Sequence, residues 1–550
     1  MQNFYDLVTQ VSDFLWSGPM VVLLLGTGLY FMIRLKFRPI LRLFPAMGEL
    51  WAGRKAGDGA AGAISPWQAL STALSGQVGT GNLAGVATAI SLGGPGAVFW
   101  MWMTALVGMA AAYAESSLAV RYRETHPDGR VHGGPMYYIK NGLGKWWTWL
   151  GILFAIGTLF SALATGNMVQ SNSITQAMTE ASAGVARSAP CFTTVGRTAV
   201  TIEGQPQLVF ASGCDIAEAG NNGVVTAHLD DGTSIDVAGT DFTVVLANWV
   251  PGIIIAVAVF IVIIGGIQSI GSFAGKVVPF MALVYVVAAG VILALNASHL
   301  PSAFMQIFHD AFTGSAATGG FLGSSIMIAM RFGVERGLFS NEAGQGSTAI
   351  AHAASKTDSP VRQGEIAMVG TFIDTIVICT ITALVILVVQ GAYPHGAETV
   401  DYAWMSQLEA SEVTTAVFRE SHIPAGGFLI AICLTLFAFT TILGWSYYAE
   451  QALTYLVGDW ATKPFRFIWV IMVFFGALQQ VDFIWMLGGI ANAAMAAPNL
   501  IAILMLSGVV VAYTKKADKD GQGATPAGVD EKPAIKSSSP DDLAEDDLDK

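Results

Sequence analysis

Ser75-Gly76-Gln77-Val78-Gly79-Thr80-Gly81-Asn82 lies halfway along an apolar stretch running from about residue 66 to 92. A helix that spans a bilayer satisfies its own backbone, so a cluster of glycines, amides and hydroxyls at that depth marks a place where the chain leaves helical geometry to line a site. Unwound here, the segment offers carbonyl oxygens to a cation and helix N-terminal amides to a carboxylate. A small-residue packing face of the Gly-x-x-x-Gly kind is the competing explanation. It leaves the amides of Gln77 and Asn82 without a purpose.

The rest of the 550 residues supplies the membrane. Only 12% are charged and 53% are hydrophobic, 61 are glycine, and the mean hydropathy is +0.57. A soluble chain carries about 25% charge. Apolar runs of spanning length predict an all-α polytopic membrane protein with about eleven transmembrane helices. They fall near 19–35, 66–92, 96–120, 147–178, 246–266, 276–297, 303–332, 364–391, 425–451, 465–480 and 483–513. Met1 to Ser17 has no basic segment and carries Asp6 and Asp13, so the first apolar run reads as a retained helix and not as a cleaved signal. A net charge of −12 without a basic stripe excludes nucleic-acid binding, and four cysteines cannot frame the fold.

Eleven crossings put the termini on opposite sides. Of the 27 basic residues, all but Arg187, Arg197 and Arg419 then fall on one side. The positive-inside rule places the N-terminus outside and the C-terminus in the cytoplasm. Four regions follow: residues 1–179 with the broken helix, an external insertion at 180–245, the remaining helices at 246–514, and a disordered cytoplasmic tail at 515–550. The insertion holds eight acids and two bases, and its alternating stretches predict a small β-rich lobe. It contains Cys191 and Cys214, either a disulfide or two free thiols. The tail is rich in Asp, Ser, Pro and Lys and lacks aromatics.

A second weak point, Thr318-Gly319-Gly320-Phe321-Leu322-Gly323-Ser324-Ser325, lies five helices after the first, and Gly320 is its candidate substrate contact. Discontinuous segments at matching positions of two halves point to an inverted-repeat transporter. In helix nine, Thr440 and Thr441 present adjacent hydroxyls suited to a hard monovalent cation, with Gly76 as a third candidate ligand, and Trp445 can wall a side-chain pocket. Threonine bonding to its own i−4 carbonyl explains the same residues equally well. Asn167 and Gln170, three apart in helix four, either contact solute or glue helices together. Asp374 and Glu115 are ionisable groups inside the membrane. A packing or gate hydrogen bond is the leading reading for each, and a proton site on Asp374 the alternative. No zinc-protease or nucleophile-elbow motif and no phosphate-binding loop occurs, which argues against hydrolysis and against ATP-driven transport.

Gly79-Thr80-Gly81-Asn82-Leu83-Ala84-Gly85-Val86, Gly133-Gly134-Pro135-Met136-Tyr137-Tyr138 and Arg336-Gly337-Leu338-Phe339-Ser340-Asn341-Glu342-Ala343-Gly344-Gln345-Gly346-Ser347, followed by Ala351-His352-Ala353-Ala354, resemble the alanine or glycine:cation symporter family. The resemblance runs from about the first helix to the eleventh. It implies a leucine-transporter-type inverted five-helix repeat plus one N-terminal helix. The implied function is sodium-coupled import of alanine, glycine or similar small neutral amino acids by alternating access, with no enzyme activity. Sodium is the coupling ion, no cofactor is implied, and the setting is the plasma membrane, the inner one in a Gram-negative cell. Carried onto this sequence, the family site uses Gln77, Gly79, Thr80 and Gly81, with Thr440, Thr441 and Trp445 for cation and substrate; Asn82 and Asn167 complete the candidate set. Arg336, Asn341 and Glu342 read as an inner gate or loop brace, since the basic residues place their motif at the cytoplasmic end of helix seven. Coupling to protons, or a non-transporting amino-acid receptor, are the alternative functions. No obligatory protein partner is implied.

Overall fold

The computed structural model describes residues 2–52, 62–125, 130–185, 248–313, 322–395, 398–406, 408, 410–421, 423, 425–479 and 482–519, with five short strands between 198 and 243. Among the described residues, eight helices are long and apolar enough to cross a membrane: Val8–Arg34, Gly96–Arg121, Lys145–Met178, Gly266–Leu295, Pro360–Val388, Gly426–Val457, Asp459–Leu478 and Ile484–Met505. A shorter apolar helix covers Trp249–Ile263. Phe160, Ile261, Phe280, Leu283 and Val287 point outward and are exposed, which is how a helix bundle meets lipid.

Two further helices are interrupted, and these position the site. Ser65 caps Pro66–Gln77 through a reciprocal pair with Gln68, and Pro66 at the first turn presets the helix. After a short turn at Thr80–Asn82 the chain resumes as Ala84–Gly93. The second interrupted helix is Leu322–Asn341 followed by Ser347–Ala353. Leu322–Asn341 packs on Ala84–Gly93, and Ser347–Ala353 packs on Pro66–Gln77. The two therefore run in opposite directions with their breaks at one level.

This placement revises two expectations. Of the second break expected at Thr318–Ser325, residues 318–321, Gly320 among them, lie outside the described residues, and Leu322 onward is continuous helix; a break is described further along. It falls at Glu342–Gly346, within the motif expected to brace an inner end. Left-handed backbone at Glu342 (φ 55°), Gly344 (82°) and Gly346 (86°) turns the chain there, and the two glycines adopt it without a Cβ clash. The second correction concerns charge. Because the helix continues beyond its break to Ala353, Arg331 lies at the end opposite Ser355, where it bonds Asp13 at 2.5 Å. Arg331 and Arg336 thus leave the basic face they were assigned to.

That basic face is tied together by arginines. Arg123 donates to the carbonyls of Ala353, Ser355 and Thr357 at 3.0, 2.7 and 2.6 Å. The strand-like bridge of Ala63–Ile64 with Ala354–Lys356 joins the tips of the two half-helices, with Ala63 N to Ala354 O at 2.8 Å and Lys356 N to Ile64 O at 2.7 Å. Glu365, almost fully buried, receives Arg38 at 2.7 Å and Arg42 at 3.2 Å. Arg38 also pairs with Asp518. The expected tail boundary at 515 falls inside the helix Ser507–Lys519.

The insertion is β-structured where described: Thr198–Ile202 pairs antiparallel with Gln205–Val209 and with Phe242–Thr243, and Val224–His228 pairs with Ser234–Ala238. These form separate small sheets and no closed barrel. Cys191 and Cys214 lie outside the described residues. Cys379 and Cys433 are buried free thiols.

Candidate functional site

Between the two halves of the first interrupted helix, Gln77 donates through Nε2 to the carbonyl of Asn341 at 2.5 Å, linking one break to the other. The Gly79 amide bonds Asn82 Oδ1 at 2.9 Å, and the Thr80 amide bonds Gln170 Oε1 at 3.3 Å. Side chains thus hold the unwound turn. Thr80 Oγ1 is buried with no partner among the described residues. A Cβ on Gly79 would overlap the Thr441 hydroxyl, so only glycine admits this approach. Thr441 Oγ1 lies 3.4 Å from the Val78 carbonyl and 3.0 Å from that of Phe437. Thr440, one step round, bonds the Phe437 carbonyl at 3.0 Å and faces Met281, away from the break.

Asp374 braces the two breaks. Its carboxylate accepts from Asn82 Nδ2 at 2.6 Å, Ser340 Oγ at 2.8 Å and Thr375 Oγ1 at 2.8 Å. It sits in a widened π-turn, Phe372–Cys379, within the Pro360–Val388 span. Asn341 Nδ2 reaches Thr375 at 3.1 Å, and Ser347 Oγ donates to Glu342 at 2.6 Å. Glu115 accepts from Asn499 at 2.8 Å and Thr348 at 3.3 Å. Buried carboxylates supplied with donors in this way hold their charge at lower cost than bare ones.

A small pocket opens between these elements, lined by Gly76, Gln77, Gly79 and Gly81 of the first break and by Phe339 and Gln345 around the second. Thr165, Gln170, Thr441, Trp445 and Asn492 complete it. Trp445 lies flat against Gly166, where a Cβ would come within 2.5 Å of the indole. Of the sequence candidates, Gln77, Gly76, Gly79, Gly81, Thr441 and Trp445 line this pocket, while Thr80 and Asn82 hold the turn beside it. Arg336 stacks on Trp485 at 5.3 Å, one turn from Phe339. Asn167 does not line the pocket; it bonds the Trp469 carbonyl at 3.0 Å. The cause is a π-turn over Ala162–Met168, whose extra residue per turn separates Asn167 from Gln170, which i, i+3 spacing had put on one face. Gln345, quoted only within the Arg336–Ser347 motif, and Asn492 do not stand out as site residues in the sequence, because single amides inside polar or small-residue runs carry no periodic signal.

The sequence matches the model of the Sodium:alanine symporter family over residues 1–211 and 223–527. It is 40% identical to the sodium/alanine symporter AgcS of Methanococcus maripaludis over 520 residues, covering 93% of this chain and 97% of that one. It is 33% identical to the probable sodium/glutamine symporter GlnT of Bacillus subtilis, covering 94% and 93%. Its fold is similar to that of MhsT, solved with L-phenylalanine, at a TM-score of 0.52, 14% identity, and coverage of 82% of this chain and 90% of that one. A leucine-transporter-type bundle, two opposed helix breaks around one pocket, and matches along nearly the whole length converge: this chain belongs to the sodium:alanine symporter family, multi-pass membrane proteins that carry small neutral amino acids by coupling them to sodium.

Proposed function

We propose that this chain imports a small neutral amino acid with sodium by alternating access around the pocket between the two breaks. Sodium sits against the Val78 and Phe437 carbonyls and the Thr441 hydroxyl, and the amino-acid carboxylate meets the Thr80–Asn82 turn, where the buried Thr80 hydroxyl is a donor in waiting. Trp445 and Phe339 bound the side chain. Arg336 and Trp485 form the gate on the opposite face from Arg123. The observation that carries this reading is the Thr441 hydroxyl bridging carbonyls of two different helices beside the first break. Thr441→Ala raises the sodium concentration for half-maximal alanine uptake in proteoliposomes by about tenfold, as the loss of one neutral oxygen ligand worth about 1.4 kcal/mol would. Thr440→Ala shifts it less. Equal shifts would remove Thr441 from the ion's shell.

The eight long helices, the shorter Trp249–Ile263 and the two interrupted helices make eleven crossings in this reading, with five-helix repeats opening at Pro66 and Leu322. The N-terminus and the 180–245 insertion face outward, the Arg38–Arg123 face is cytoplasmic, and residues 515–550 are a cytoplasmic tail. With Cys191 and Cys214 replaced by serine, a membrane-impermeant maleimide labels intact cells carrying cysteine at exposed Thr399. It labels cysteine at exposed Lys140 only after lysis. The reverse pattern would invert the topology.

A further inference from the structure

Among the described residues, Gln77 and Gln345 both line the pocket with an amide oxygen that no donor meets; Gln77 sits at the first break, beside the proposed ion and carboxylate, which leaves the Gln345 oxygen unused by the transport of alanine. Left-handed glycines flank Gln345, Gly344 (φ 82°) and Gly346 (φ 86°), and they turn its side chain into the wall of the pocket. Its Nε2 donates to Asn492 Oδ1 at 2.9 Å, and the same oxygen accepts from the Ser161 hydroxyl. With Asn492 oriented as it is, flipping the Gln345 amide would set oxygen against oxygen. Oε1 is then left buried, at a residue 1% exposed, without a donor among the described residues. An orphaned buried carbonyl costs free energy until something donates to it.

The invariant parts of an amino acid do not require this group. Carboxylate and ammonium are common to every substrate, and helix interruptions supply freed amides and carbonyls for both. What remains is the side chain, facing a wall that is apolar at Trp445 and Phe339 and polar at Thr165, Gln345 and Asn492. A methyl group satisfies nothing there, and a pocket this small has little room for a long amide. We infer that the preferred substrate carries a short side chain ending in a hydroxyl, as serine does, and that Gln345 is the residue that selects it. This rests on the pocket being the substrate site.

Serine and 2-aminobutyrate test the inference, because they differ only by hydroxyl against methyl at the same position. In sodium-driven uptake by proteoliposomes, wild type is expected to show a KM for serine about tenfold or more below that for 2-aminobutyrate, since a site built around a donor rejects the analogue lacking it. In Gln345→Met, which keeps the length and removes the acceptor, the ratio falls to about one whatever the absolute rates. Equal KM values in wild type, a ratio that survives in Gln345→Met, or asparagine outcompeting serine would overturn the inference. If Gln345→Met fails to fold, the wild-type comparison decides alone. Failure of the underlying reading looks different: no sodium-driven uptake by wild type, or normal uptake after Gly79→Ala, would unseat the pocket itself.

Discussion

Gly79→Ala reduces sodium-driven amino-acid uptake by roughly 100-fold, while the protein still folds and inserts. The added Cβ would overlap the Thr441 hydroxyl, and the nearest relief pushes helix Gly426–Val457 away from the Val78 carbonyl. Overpacking of this kind costs about 1–3 kcal/mol. It falls on the contact between the first break and Thr441, so it is felt at the ion and solute together. Gly85→Ala, six residues on, is the comparison: its Cβ would meet nothing nearer than the Thr80 carbonyl at 4.0 Å. Initial uptake rates of the two variants, normalised to purified protein, check the contrast. Similar rates would mean that the close approach at Gly79 is not part of the site.

The largest effect on stability is expected at Glu365. Its carboxylate, 2% exposed, is shared by Arg38 and Arg42, and Arg38 carries the connection on to Asp518 of the last described helix. Glu365→Gln leaves two guanidinium groups facing an amide in a poorly hydrated setting. Breaking a buried pair from one side typically costs about 3–5 kcal/mol; since Arg38 keeps Asp518 and Arg42 keeps Glu49, the cost here lies at the lower end of that range. Thermal unfolding in detergent is expected to show a clear fall in Tm. Glu49→Gln, whose 2.8 Å bond to Arg42 is more exposed, lowers it much less. Arg38→Lys falls between the two, since an ammonium keeps the charge and gives up the planar fork. An unchanged Tm in Glu365→Gln would show that the network is hydrated and weak.

The first break was legible because its glycines and amides interrupt a run that is otherwise apolar, so the anomaly stands out against its surroundings. The second was not, since from Ser340 to Gly346 polar and small residues follow one another with no apolar frame to break. Placing Glu342 at membrane depth requires knowing that the Gln77 amide meets the Asn341 carbonyl, a contact between residues far apart in sequence. The same holds for charge. Counting Arg331 and Arg336 with the basic face followed from ending helix seven at 332, and the error vanishes once the chain is carried through Gly344 and Gly346 to Ala353. Thr441 and Trp445 were found from i, i+4 spacing because Gly426–Val457 is regular throughout. Asn167 was misplaced because helical spacing fails across a π-turn, and no residue type announces one.

The bridge between Ala63–Ile64 and Ala354–Lys356 limits how the bundle can move. The two short half-helices, Pro66–Gln77 and Ser347–Ala353, are fastened at their tips by that bridge and pack along their length, so they are coupled as a pair, while Gln77 reaches across to Asn341 at the end of the opposite half. Displacing one tip alone would tear backbone bonds; displacing both as a single leaf would not. Arg123, rooted after the neighbouring helix, then works as the latch of that leaf, and the three carbonyl bonds it makes set the resistance to opening. If solute leaves toward that face, as proposed above, the pair can move as one leaf once the Arg123 contacts part, with no helix unwound in the process.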